Sequence, residues 1–135
     1  MLSAEVEIRP EFHDLDPMQV VWHGNYMRYF EIARGRLLDC IDYNYPQMVA
    51  SGYAWPVVEF RVKYSRPLKF GQRCRVIATL VEYEYRLRID YRVVDAETGA
   101  RLTKATSIQL PVEIATQELV FGCPPALTER VQRCR

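Results

Sequence analysis

Histidine is scarce in this chain, with only His13 and His23 among 135 residues. The shortage limits the chemistry available, since an imidazole zinc site needs clustered ligands and a serine hydrolase needs a His beside its nucleophile. The four cysteines, Cys40, Cys74, Cys123 and Cys134, are scattered and form no C-x-x-C pair, so neither a metal site nor a disulfide is expected. No Gly-x-Ser-x-Gly turn is present, which argues against an α/β-hydrolase, and no Gly-rich phosphate loop occurs. No apolar run approaches the roughly 18 residues of a membrane span. No basic-then-apolar leader opens the sequence, so the expected location is the reducing cytoplasm. Repeats, low-complexity tracts and linkers are missing too, and one domain over residues 1–135 with no cofactor is the expectation.

What is present suits a globular fold: 49% apolar residues, 26% charged residues and a net charge of +1. Residues 1–67 carry 7 basic and 9 acidic side chains, and residues 68–135 carry 11 and 8. That mild basic bias suits a phosphate-bearing ligand, and it falls short of the dense footprint that duplex nucleic acid requires. Nucleic acid is not an expected partner.

Residues 4–12 alternate, with Ala4, Val6 and Ile8 against Glu5, Glu7 and Arg9, as a half-buried strand does. From residue 25 to residue 42 the apolar side chains Tyr26, Tyr29, Phe30, Ala33, Leu37, Cys40 and Ile41 recur at helical spacing, and Met27, Ile32 and Leu38 widen that side. With so little polar surface, this helix is expected to lie mostly buried, ended by Asn44 and Pro46. Strands are predicted over residues 56–70, 75–85, 86–94 and 101–114, with a hairpin turn at 95–99. A terminal helix is predicted over residues 124–133. One strand, a long helix and four β segments give an α+β fold in which an antiparallel sheet covers one dominant helix.

Chemistry concentrates in residues 12–31, where a polar turn with Asp14 and Asp16 runs into that helix. The first N–H groups of a helix lack intrahelical partners and carry partial positive charge, so an oxyanion near His23, Gly24 or Asn25 could be stabilised there. Taken alone, Asp14 and Asp16 could equally be turn formers bonding nearby N–H groups. His23 could serve only a structural hydrogen bond, and Glu31 could pair with Arg28 or Arg34.

The run Asp14, Asp16, His23, Gly24, Asn25, Tyr26, Glu31 and Arg34 resembles the hotdog-fold acyl-CoA thioesterases of the 4-hydroxybenzoyl-CoA thioesterase and YbgC-like type. One departure stands out. Where YbgC-like members usually have two glycines after the second Asp, this chain has Met18 and Gln19, which adopt positive φ less readily.

The resemblance implies a hotdog fold, an antiparallel sheet wrapped around a central helix, paired into a homodimer or homotetramer with ligand sites between subunits. It implies hydrolysis of acyl-CoA thioesters with short-chain or aromatic acyl groups, Asp16 acting as nucleophile or general base and the His23 N–H holding the oxyanion. Asn25 and the His23 ring would orient water or the loop. Trp22, Tyr26, Met27 and Trp55 would border the acyl path, and Arg66, Arg86, Arg88 and Lys104 are the cations available to coenzyme A. Two other classes remain open: a hotdog dehydratase or hydratase, and a non-catalytic acyl-CoA-binding subunit.

Overall fold

The computed structural model describes residues 2–134. Strand β1 (Ser3–Ile8) leads through a short 3₁₀ turn (Phe12–Asp14) and a loop to a second 3₁₀ turn (His23–Asn25), which opens directly into α1 (Tyr26–Cys40). Helix α2 (Tyr45–Ala50) follows, then strands β2 (Tyr53–Ala54), β3 (Val57–Tyr64), β4 (Cys74–Glu82), β5 (Leu87–Asp95), β6 (Arg101–Gln109), β7 (Val112–Glu113) and β8 (Glu118–Leu119), and finally α3 (Pro125–Arg133).

Five strands form one antiparallel sheet in the order β1-β4-β5-β6-β3. Alternation in β4 and β5 sends Cys74, Val76, Ala78, Leu80, Leu87, Ile89, Tyr91 and Val93 inward, where they meet Tyr26, Tyr29, Phe30, Ala33 and Leu37 of α1. Phe30 and Phe60 stand 5.6 Å apart between ring centroids, and Phe60 stacks on Tyr91 at 5.6 Å, which ties β3 to the helix and the sheet centre. At the β5–β6 turn the Asp95 carboxylate accepts the Glu97 and Thr98 N–H groups at 2.8 and 2.9 Å, and Gly99 takes φ 74°. That is the hairpin expected from the sequence.

The α+β expectation is met, with four differences. Helix α1 runs from Tyr26 to Cys40 rather than over residues 25–42, and it is covered on one side only. Met27 and Ile32, expected to widen the buried side, are 39% and 37% exposed, because they project away from the single sheet. Asn44 does not simply end the first helix. Its side chain caps α2 by accepting the Tyr45 N–H at 2.8 Å, while Gln47 accepts the Asn44 N–H at 3.1 Å. Strand β3 stops at Tyr64 and bonds only to β6, so it is a sheet edge, with Val58 and Tyr64 exposed. The long strand expected over residues 101–114 breaks after Gln109, since Pro111 has no N–H to donate. The chain then builds a small sheet, β2-β7-β8.

Candidate functional site

The loop between β1 and α1 is fastened by Asp14, whose side chain is almost fully buried. Its Oδ2 accepts the Glu11 N–H and the Tyr29 hydroxyl, each at 2.9 Å, and its Oδ1 accepts from the Arg28 guanidinium. Burial alone would raise the Asp14 pKa. The Glu11 and Tyr29 hydrogen bonds, with the positive charges of Arg28 and His13, outweigh it and hold the carboxyl below its ordinary value. Tyr29 is pushed the other way, by burial and by the carboxylate it donates to. The Asp14 carbonyl accepts the Trp22 N–H at 2.9 Å and the Asn25 side-chain amide at 2.8 Å. Both ends of the loop are thereby tied to one residue.

Between these ties the chain folds back on itself. The Asp16 N–H donates to the Val20 carbonyl and the Gln19 N–H to the Asp16 carbonyl, both at 2.9 Å, and Gln19 takes φ 65°. A non-glycine residue therefore occupies the left-handed region in this turn. Val21 donates to the Leu68 carbonyl at 2.8 Å, fixing the loop to the β3–β4 connection. One Asp16 oxygen, Oδ1, accepts the Met18 N–H at 2.8 Å. Among the described residues, the other oxygen takes no hydrogen bond from the protein.

Asp16, Val20, Val21, His23, Tyr26, Tyr64 and Arg66 line a groove of about 310 Å³. The helix start beside it carries no side-chain cap, at either Trp22 or Asn25, which leaves early N–H groups for a ligand. The Tyr64 hydroxyl donates to the His23 carbonyl at 3.2 Å, and the Tyr64 and Tyr26 rings meet edge-to-face at 5.0 Å. These contacts hold the helix start against the end of β3. A Cβ at Gly24 would lie 2.2 Å from the Trp22 ring. A side chain there would displace the indole, which is half exposed and has solvent to move into.

Of the residues singled out from the sequence, Asp16, His23, Tyr26 and Arg66 come together. Asn25 is tied to the Asp14 carbonyl and positions the loop. Trp22 is 49% exposed and lies over Gly24 and against the His23 ring, at 5.2 Å, outside the groove lining. Trp55 is buried in a different cavity, near the far end of α1. Arg88 sits opposite Ile108 on β6, whereas Tyr64 sits opposite Thr103, a separation of about 17 Å along the strand. Arg88 also faces away from α1, paired with Asp90 at 3.4 Å, and Arg86 is bonded to Glu82 at 2.8 Å. Within one subunit neither arginine reaches Asp16. Lys104 shares that outer face, opposite Arg92. Glu31 is exposed and 3.7 Å from Arg34, while Arg28 goes to Asp14 instead.

The sequence reading did not single out Tyr64, nor the clasp of Arg28 and Tyr29 on Asp14. Helical spacing offered Arg28 a nearer acid in Glu31, so no local signal pointed to Asp14. Burial pushes the Cys74 thiol up to about 11 and Cys123 up to about 12, which disfavours these two as nucleophiles. Among the described residues no group of three His, Cys, Asp or Glu side chains could hold a metal ion, and no helix is long and apolar enough to cross a membrane.

Residues 10–131 match the thioesterase-like superfamily. The chain belongs to that superfamily. The match is broader than the 4-hydroxybenzoyl-CoA thioesterase and YbgC-like group that the motif resembles. Bacillus subtilis YneP, provisionally named an acyl-CoA thioesterase, is 28% identical over 112 residues, covering 82% of this chain and 79% of that one. A Synechocystis protein, sll0410, provisionally named an esterase, is 27% identical over 132 residues, covering 97% of this chain and 80% of that one. The crystal structure of a DHNA-CoA thioesterase from Staphylococcus aureus superposes with a TM-score of 0.84 at 21% identity, over 99% of this chain and 89% of that one. This thioesterase-like chain thus has the hotdog fold.

Proposed function

We propose that the chain hydrolyses acyl-CoA thioesters in the groove between Asp16 and His23. The observation that carries the reading is the meeting, in one groove, of a carboxylate oxygen free of protein hydrogen bonds and an uncapped helix start. In one version Asp16 attacks the thioester carbonyl, expels the CoA thiolate and leaves an acyl anhydride that water cleaves. In the other it takes a proton from the water that attacks. Either way the carbonyl oxygen gains negative charge, and the His23 N–H at the helix start is the donor for it. The groove is small and bounded by Tyr26, Tyr64 and His23, which favours short or aromatic acyl groups. Arg66, on its rim, is the nearest cation for coenzyme A phosphates.

The same reading makes the protein a dimer, or a pair of dimers. Strand β3 has an unpaired edge, and exposed edges invite pairing. Antiparallel pairing of two β3 edges sets the Val57 end of one beside the Tyr64 end of the other, which carries the partner subunit's Arg86 and Arg88 toward this Asp16. Light scattering at micromolar concentration should give at least twice the chain mass, and a fully active monomer would refute a shared site. For the chemistry, a panel of acyl-CoA esters read with a thiol-trapping dye should show turnover that Asp16→Asn lowers by about a thousandfold or more. A folded Asp16→Asn protein within a few-fold of wild type would remove Asp16 from the reaction. CoA binding without thiol release would favour the non-catalytic binding subunit, and hydration of enoyl-CoA in place of hydrolysis would favour a hydratase.

A further inference from the structure

A second cavity, of about 610 Å³, lies near the other end of α1, within the size range of small-molecule sites. Arg34 and Leu38 belong to its wall as Tyr26 belongs to the groove, so about 12 Å of helix, from Tyr26 to Arg34, separates the two. Its walls are apolar and aromatic, with Leu38, Met48, Val49, Tyr53, Trp55 and Val112 contributing. They are set before a ligand arrives. The Trp55 indole N–H donates to the Tyr43 hydroxyl at 3.1 Å, the Gln109 amide donates to the Trp55 carbonyl at 2.8 Å, and the Tyr43 and Ser51 hydroxyls share a 2.8 Å hydrogen bond. A pocket already ordered costs little conformational entropy to fill.

Among the described residues, the one charged side chain in the lining is Arg34. It is 15% exposed, and its acidic neighbour, Glu31, is 3.7 Å away and 66% exposed. That distance is too long for a hydrogen bond, and a solvated partner contributes little. Its other neighbour, the Tyr91 hydroxyl, is neutral; it accepts a hydrogen bond from Arg34 and shares one of 2.7 Å with Ser107. Arginine does not shed its proton when buried, so this guanidinium sits half-withdrawn from water without a buried counter-charge. Its planar fork of donors matches a carboxylate, and aromatic walls around a single cation suit an apolar body attached to it.

We propose that this cavity binds a small hydrophobic carboxylate, with Arg34 as its counter-ion and Trp55 against its apolar body. Thioester hydrolysis releases acids of that class, but the argument from Arg34 stands without that reaction.

The chain has two tryptophans, so Trp22→Phe leaves Trp55 as the only indole and makes it a reporter. Titrating that protein with benzoate should change Trp55 fluorescence saturably. Benzamide, of the same shape without the charge, should bind about tenfold more weakly or worse. Arg34→Gln should reduce benzoate to the level of benzamide, and Arg66→Gln, which alters the cation of the Asp16 groove, should leave the titration unchanged. The proposal is overturned by no saturable response to benzoate, by equal affinity for benzoate and benzamide, or by loss of binding in Arg66→Gln and not in Arg34→Gln. The benzoate and benzamide comparison is made with Arg34 intact, so it decides the matter even if Arg34→Gln does not fold.

Discussion

Replacing Asp14 by Asn should cost more stability than any other isosteric change in the site loop. The carboxylate accepts from Glu11 N–H, Tyr29 hydroxyl and Arg28 guanidinium while only 2% exposed. An amide oxygen in place of Oδ2 still accepts from Glu11 and Tyr29 but turns its NH2 on the Arg28 guanidinium, and the flipped amide keeps Arg28 and leaves both buried donors unpaired. A buried donor left unpaired costs about 1–3 kcal/mol, and loss of the charge weakens the bond that remains. Arg28 is half exposed, so its ion pair is discounted for screening. The sum is about 2–3 kcal/mol, or roughly 8–12 °C in Tm for a domain of this size. Urea unfolding of wild type and Asp14→Asn at pH 7 would measure it. The sign of the pH dependence follows from the lowered Asp14 pKa: its contribution is full above the ordinary carboxylate value of 3.8 and is lost as pH falls through the depressed folded value. The gap between the two proteins should therefore be constant from pH 7 to about 5 and close only in strong acid. A loss under about 0.5 kcal/mol at pH 7, or a gap that closes near neutrality, would refute the assignment of Asp14 as the clasp of the loop.

Gln19→Gly should stabilise the protein by about 0.5–1 kcal/mol, because Gln19 holds φ 65° in an exposed turn; a destabilised variant in urea would show that the side chain is needed there. If the partner subunit's Arg86 and Arg88 meet the nucleotide, alanine at either position should raise KM for acyl-CoA with little change in kcat and leave a truncated acyl-pantetheine unaffected. Equal losses on both substrates, or none on either, would return these arginines to a solvated strand face.

The elements that sequence patterning exposed are those with a long, one-sided period. β4 and β5 alternate between the core and solvent for at least seven residues each, and α1 repeats its apolar positions over four turns, so their type and neighbours follow from simple burial. The two-residue strands β2, β7 and β8 carry no period at all. They form because Pro111 breaks the ladder of β6 and the chain beyond it finds a partner in Tyr53 and Ala54, a long-range event that no local window contains. The overestimate of α1 burial has a related cause. Met27 and Ile32 are apolar, and patterning counts them toward a core, but one sheet covers only one side of a helix.

The site divides along the same line. Asp16 and His23 were legible because the turn, the glycine and the helix start adjoin one another in sequence, and the motif that the run resembles spans them. Asp14 was legible only as a turn former, since its partners Arg28 and Tyr29 lie 14 and 15 residues away on the next element and become neighbours when the loop closes. Arg86 and Arg88 make the converse case. Alternation along β5 turns Arg88 outward with Asp90 and Arg92, but facing is not position: Arg88 stands opposite Ile108 and Tyr64 stands opposite Thr103, and that register places the arginines at the wrong end of their own sheet for this subunit's Asp16. They can serve the same ligand only if a second sheet runs antiparallel to the first along β3, so the nucleotide assignment and the dimer stand or fall together.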